Sequence, residues 1–98
     1  MAVNSGYISD NAGTCTLSLP IASGVGDIIR VVGLGAGGWQ IAQNAGQNIH
    51  VGSSTSSTGV GGSVSSTNRY DAINLVCVVA NFEWSAMGAP QSAGLTIV

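Results

Sequence analysis

Fifteen glycines are distributed through this chain of 98 residues, and they leave few uninterrupted stretches long enough for a long helix. Glycine is unfavourable inside helices and well tolerated in turns. The apolar residues between the glycines are mostly alanine, valine and isoleucine, and β-branched side chains suit strands. The sequence therefore predicts an all-β fold of short strands and tight turns, without a helix.

Several segments alternate apolar and polar residues with the period of two that is typical of half-buried strands. In TCTLSLP the cysteine and two leucines alternate with hydroxyl residues, and in WQIAQN the tryptophan and isoleucine share one face. In QNIHVG, Ile49 and Val51 are expected to point inward, with Asn48 and His50 pointing outward. We predict a strand in each segment.

Other segments are assigned by composition. GYISD, IIRVVGLG and the terminal LTIV are predicted strands, and MGAPQSAG is the lead-in to the last of them. SSTSSTGVGGSVSST lacks apolar bulk, so it is predicted to form a loop or an exposed hairpin rather than a core strand. One domain spans residues 1–98, with residues 1–4 interpreted as an added start or a linker remnant.

The most apolar run, AINLVCVVANFEW, indicates self-association. Leu75, Cys77 and Val79 are expected on one face and Val76 and Val78 on the other, so both faces are apolar and both should be buried. The chain carries six charged residues and no lysine although 45% of it is hydrophobic, whereas soluble domains average about 25% charged residues. We infer that copies of the chain cover much of its surface.

Composition also excludes some function classes. There is no apolar run long enough to span a membrane, and no signal-peptide pattern is visible. Two arginines and a net charge of −2 cannot neutralise a nucleic-acid backbone. Cys15 and Cys77 are predicted to be buried free thiols. A disulfide is the main alternative, and a metal pair is disfavoured because His50 has no close Cys or His companion.

The glycines Gly33, Gly35 and Gly38 form a Gly-x-Gly-x-x-Gly pattern. A dinucleotide site would need a helix after the pattern and an acidic residue about 20 positions further on. The segment that follows is a predicted strand, and the region around 53–58 has no carboxylate. We predict neither a cofactor nor a phosphate-binding lysine, and we assign the glycines to scaffolding.

No catalytic constellation is convincing. Asp71 and Glu83 are a conceivable glycosidase pair, but nothing in the sequence brings them together. Capping of turns or strand ends explains the scattered carboxylates. A triad of His50, Asp71 and a serine carries little information in a chain so rich in serine. We expect His50 to be a residue on the polar face of a strand, and the protein not to be an enzyme.

Five carboxamides fall within nine residues, and they suggest hydrogen bonding between subunits. Each amide offers donors and an acceptor, so identical amides from several chains could form a ring around a symmetry axis. A sugar site is the rival interpretation, with Trp39 as the stacking platform, and solvent-exposed polarity is the third. The amides are Gln40, Gln43, Asn44, Gln47 and Asn48.

The chain resembles the β-rich domain at the C-terminal ends of phage and prophage tail-fibre or tailspike-like proteins. The similarity extends from about Ser5 to Val98. Its most specific parts are GAGGW (Gly35 to Trp39), IAQNAGQ (Ile41 to Gln47), STNRYD (Ser66 to Asp71) and LVCVVANFEW (Leu75 to Trp84). The resemblance implies a homotrimeric domain at a fibre tip that serves assembly, stability or receptor contact, and it implies no catalytic residues.

These inferences predict an all-β domain, a β-sandwich or β-prism of short antiparallel strands, in an intertwined homotrimer. We expect it in a virion, facing the extracellular environment, as a trimerisation and tip domain that also contacts a host-surface glycan or receptor. Such domains normally follow a stalk, so the chain is expected to be a fragment of a longer fibre protein. The alternative is a carbohydrate-binding module that uses Trp39 or Trp84, and a glycan hydrolase using Asp71 and Glu83 is the third hypothesis.

Overall fold

A computed structural model describes residues 1–87 and 95–98 of the chain. Within those ranges all regular structure is β, which confirms the predicted all-β fold. Most of the MGAPQSAG lead-in lies outside the described residues. The strands are β1 (Ser5–Ser9), β2 (Cys15–Ser18), β3 (Ile28–Gly33), β4 (Trp39–Ala42), β5 (Asn48–Val51), β6 (Ser54–Thr55), β7 (Ser63–Ser65), β8 (Ala72–Val79), β9 (Glu83–Ala86) and β10 (Thr96–Ile97).

The strands form two mixed sheets. One sheet has six strands in the order β1-β3-β8-β9-β5-β6, and the other has four in the order β10-β7-β4-β2. The expectation of antiparallel strands alone is wrong, because β1 pairs with β3, β2 with β4 and β5 with β9 in parallel. The chain changes sheet between β1 and β2 and again between β3 and β4. The segment from β3 to β4 lies beside the segment from β1 to β2 and runs in the same direction, so the pairs β1–β3 and β2–β4 are both parallel.

Both sheets contribute side chains to one hydrophobic core. Trp39 and Ile41 of β4 and Ile49 of β5 are buried, as their alternation predicted, while His50 lies on the opposite, partly exposed face. The apolar residues near the amino terminus, including Met1 and Val3, pack against the edge of the core. The buried apolar residues are Leu19, Ile29, Val31, Trp39, Ile41, Ile49, Val64, Ile73, Leu75, Cys77 and Trp84.

Strand β8 buries one face within a single chain, and the cover predicted for its other face, by copies of the chain, stays a prediction. Leu75 and Cys77 are buried, but Val78 is 43% and Val79 is 42% exposed. The register with β9 shifts between Cys77 and Val79, and such a bulge interrupts the alternation of side chains. Val79 therefore does not join the buried face as the alternation predicted, and the described residues provide no second layer over the outer face.

The serine-rich segment is also more structured than predicted. It contains β6 and β7, and Val64 of β7 is a fully buried core residue. Strand β7 lies between β4 and β10, where Val64 is paired with Ile41 on one side and Ile97 on the other. A single valine is enough for an interior strand here, because neighbouring strands supply the rest of the apolar surface.

Candidate functional site

The Gly-x-Gly-x-x-Gly segment forms a crossing between the two sheets. It lies along the β1–β2 connection, where the amides of Leu34 and Gly35 donate to the Ser9 carbonyl at 2.7 and 2.9 Å and Gly37 donates to Asn11 at 2.9 Å. A Cβ atom at Gly35 or Gly37 would overlap the backbone of residues 11–13. The glycines thus permit two backbones to pass at hydrogen-bonding distance, and a strand follows them.

Three of the five predicted amides form hydrogen bonds inside the chain. Gln43 is 4% exposed, and its amide nitrogen lies 2.6, 2.8 and 3.0 Å from the carbonyl oxygens of Gln47, Ser57 and Gly59. Its carbonyl oxygen accepts from the Ser56 hydroxyl. This one side chain therefore connects the end of β4 to the loop between β6 and β7.

Gln47 has a comparable role on the other side of the same turn. It is 1% exposed, and its side-chain oxygen accepts from the backbone N–H of Asn44 at 2.8 Å. Its side-chain nitrogen donates to the backbone carbonyls of Pro20 and Asn81 at 2.8 and 3.1 Å. The side chain of Asn44 donates to Leu19 at 2.9 Å. These amides satisfy backbone carbonyls within one chain, so they require no neighbouring subunit.

The remaining two amides are less fully used. The side-chain nitrogen of Asn48 makes one long contact, 3.5 Å to the Thr58 hydroxyl. Its buried oxygen has no hydrogen-bond donor among the described residues. Gln40 is half-buried, and its side chain makes no hydrogen bond in the described part of the chain. The amide ring between subunits stays a prediction. Gln40 has free capacity for it, whereas the unsatisfied oxygen of Asn48 is buried within the chain and out of reach of a neighbouring subunit.

Both tryptophans lie in the core. Trp39 and Trp84 are 1% and 0% exposed. The indole nitrogen of Trp39 donates to the Asp71 carbonyl at 2.8 Å, and that of Trp84 has no acceptor among the described residues. Neither ring presents a face on which a sugar could stack, which argues against the glycan contacts predicted for them.

The acidic residues considered for catalysis have different partners. The Asp71 carboxylate accepts from the backbone amides of Thr67 and Asn68 at 2.8 and 2.9 Å, which confirms turn capping. Glu83 instead lies 2.9 Å from His50 across the parallel pair β5–β9. No hydrogen bond between described residues joins the two carboxylates.

His50 lies in a polar array on the outer face of the six-stranded sheet. Its Nε2 is 2.9 Å from Glu83 and its Nδ1 is 2.9 Å from the Thr55 hydroxyl. Adjacent strands β6, β5 and β9 supply the three residues. The array resembles a hydroxyl–imidazole–carboxylate relay, but cross-strand pairing accounts for it, and His50 is the polar-face residue that the alternation predicted.

Cys15 and Cys77 are free thiols, half-buried and buried respectively. Over residues 1–87 and 95–98, no three His, Cys, Asp or Glu residues form a group that could hold a metal ion. The same residues contain no helix with the length and hydropathy needed to cross a membrane.

Two exposed apolar patches are the feature that distinguishes the surface. The first, which we call the Ile8 patch, is formed where β1 and β3 end. Ile8 is 68% exposed and is paired with Val32 in the β1–β3 register. Arg69 donates a hydrogen bond to the Leu34 carbonyl and lies over the Tyr70 ring, so Leu34 and Tyr70 are close to each other. The members of the Ile8 patch are Ile8, Val32, Leu34 and Tyr70.

The second, the Phe82 patch, lies at the opposite end of the same strands. Backbone hydrogen bonds between Ser23 and Asn81 and between Gly26 and Cys77 bring residues 21–26 beside residues 77–82. Ile21, at 78% exposure, is the most exposed large apolar residue among those described. The members of the Phe82 patch are Ile21, Val25, Val78, Val79 and Phe82.

Sequence patterns identified only part of these patches. The alternation in β8 predicted an apolar outer face, but no pattern in the sequence singles out Ile8, Ile21 or Phe82 as exposed. Comparison with protein-family models, curated proteins and solved structures finds no match. The two patches are therefore the candidate functional site, and their chemistry is that of a protein–protein interface.

Proposed function

We propose that the chain acts by self-association, as a structural domain that assembles into a homotrimer. The observation that supports this most strongly is the pair of apolar patches on a chain with only six charged residues. Contiguous exposed apolar surface is costly in water and is typical of interaction sites. Burial between copies would remove that cost at both ends of the six-stranded sheet.

The resemblance to phage tail-fibre and tailspike-like domains supplies the biological context of the proposal. In that context the domain is the trimerisation and tip element of a viral fibre, displayed on the virion and in contact with a host receptor. The predicted intertwining of strands, as a β-sandwich or β-prism, is part of the same proposal. Its mechanism is association, with Gln40 as the amide that has capacity left for contacts between chains.

Analytical ultracentrifugation over a dilution series tests the proposal. We expect a species of three times the 9.7 kDa chain mass that persists to low micromolar concentration. The variants Ile8→Lys and Ile21→Lys change exposed residues, so they should shift the protein toward smaller species with little loss of strand content. Thr16→Lys adds the same charge at an exposed position of β2 and should leave the trimer intact.

A compact wild-type monomer at all concentrations would contradict the proposal. So would a trimer that both patch variants leave unchanged, because the patches would then not form the interface.

A further inference from the structure

A groove lies on the outer face of the six-stranded sheet, at the edge formed by β1. It has a volume of about 320 Å³, at the lower end of the range of about 300 to 1,000 Å³ for small-molecule sites. The lining residues are Asn4, Ser5, Gly6, Ile28 and Arg30. The groove therefore combines a cation, an amide and an aliphatic wall, with room for a ligand such as a monosaccharide.

Gly6 creates the groove, and the fold itself does not require a glycine there. It lies within β1 and is paired with Arg30 of β3. Its φ is not in the left-handed region, and an added Cβ would have no atom within 4 Å. A strand glycine without a conformational or packing reason often marks a place where a ligand or another backbone approaches.

Arg30 supplies a positive charge that no described residue pairs with. Its side chain is exposed and makes no ion pair or hydrogen bond in the described part of the chain. Arg69 differs, because its Nε donates to the Leu34 carbonyl at 2.8 Å and its guanidinium lies 5.1 Å from the centre of the Tyr70 ring. The guanidinium of Arg30 is thus available for a planar anion, and carboxylates match its geometry.

Asn4 is held at the other end of the groove. Its oxygen accepts from the Ile28 amide at 3.0 Å, and its nitrogen donates to the Asp27 carboxylate at 3.2 Å. One amide hydrogen remains for a ligand. Since Asp27 is negative, a ligand carboxylate should lie at the Arg30 end and neutral hydroxyls at the Asn4 end.

We propose that this groove binds a carboxylate-bearing sugar. Arg30 pairs with the carboxylate, Asn4 contacts hydroxyls, and Ile28 covers an aliphatic face of the ring. The inference deepens the proposed function, on which it rests for the source of the ligand, an acidic glycan of the host surface. It also places receptor contact away from the buried tryptophans.

Chemical-shift titration of the ¹⁵N-labelled protein tests the site. The probes are the methyl glycosides of N-acetylneuraminic acid and glucuronic acid, with their methyl esters as neutral controls of matched shape. Saturable shifts are expected at residues 4–6 and 28–30 for both acids. Because ion-paired hydrogen bonds are worth about 1.4 kcal/mol or more, the esters should bind about tenfold more weakly.

Variants separate the groove from general charge. Arg30→Gln should weaken binding of the acids about tenfold, whereas Arg69→Gln removes the same charge elsewhere and should leave binding unchanged. Gly6→Val fills the groove with a residue that suits strands, so it should abolish binding while the remaining resonances stay native.

Four results would overturn the proposal: shifts outside residues 4–6 and 28–30, no shifts at all, equal binding of acids and esters, or equal losses in the two arginine variants. Equal shifts with acetate would reassign the groove to a simple anion, and loss of the trimer in Gly6→Val would reassign it to a neighbouring backbone. A trimer without acid-dependent shifts refutes this inference alone. A monomer that shows them refutes the trimer but retains the sugar site.

Discussion

Replacing Gln43 with alanine tests whether the buried amides stabilise the chain itself. The substitution removes a side chain that is 4% exposed and shares two amide hydrogens among three carbonyl oxygens. It also removes the acceptor of the Ser56 hydroxyl. The amides of Gly59 and Gly62 still satisfy two of those carbonyls, but the Ser57 carbonyl has no other donor in the described part of the chain.

The expected loss follows from these contacts. A buried polar group left without its partner costs about 1 to 3 kcal/mol, and the Ser56 hydroxyl and Ser57 carbonyl are two such groups, the latter partly reached by water. With the lost packing, we expect the free energy of unfolding to fall by about 3 kcal/mol. For a domain of this size that corresponds to a decrease in Tm of about 12 to 24 °C.

Urea and thermal unfolding followed by circular dichroism measure this loss. Asn11→Ala is the control, because that exposed amide makes no side-chain hydrogen bond among the described residues and has no part in the proposed interface, and it should cost less than about 0.5 kcal/mol. Gln43→Met keeps the volume and loses the hydrogen bonds, so its cost should lie between the two. Equal effects of the two alanine variants would refute the reasoning. Trimer dissociation in Gln43→Ala with undiminished stability of the chain would instead favour the ring of amides between subunits.

Two further predictions concern the crossing and the core. Gly37→Ala places a methyl group into the Gly13 backbone and should lower the free energy of unfolding by at least about 1 to 3 kcal/mol. In Gly13→Ala the methyl group points into open space, so the free energy of unfolding should change by less than about 0.5 kcal/mol. Similar Tm values of the two variants would contradict this close approach. Trp39→Phe loses the hydrogen bond to the Asp71 carbonyl, and Trp84→Phe loses none among the described contacts, so in urea unfolding the first should be more destabilising by about 1 kcal/mol. The reverse order would show that Trp84 has the more important polar contact.

The strands were predictable because their signal is local. Alternation placed Trp39 and Ile41 on a buried face and His50 on a polar one, and all three assignments are confirmed. The bulge between Cys77 and Val79 was not predictable, because it depends on the register with β9. Val64 was missed because its burial comes from Ile41 and other neighbours on adjacent strands rather than from its own serine-rich segment.

The candidate site was only partly predictable. The amide cluster was noticed in the sequence, but the donors and acceptors of Gln43 and Gln47 lie up to 34 positions away in the chain. The groove beside Gly6 had no visible signal, since it requires Gly6 and Arg30, on strands distant in sequence, to become neighbours. The scarcity of charge and the two apolar faces of β8 pointed to exposed apolar surface, but not to its location.

The sequence by itself determined the β character, the alternation of faces and a surface poor in charge, because each follows from the conformational preference or solvation of individual residues. The tertiary structure decided the parallel pairings, the buried partners of the amides, the location of the apolar patches and the groove at Arg30. Those features depend on which distant segments become neighbours, and pairing between strands is set by the joint packing of the whole core rather than by any one segment.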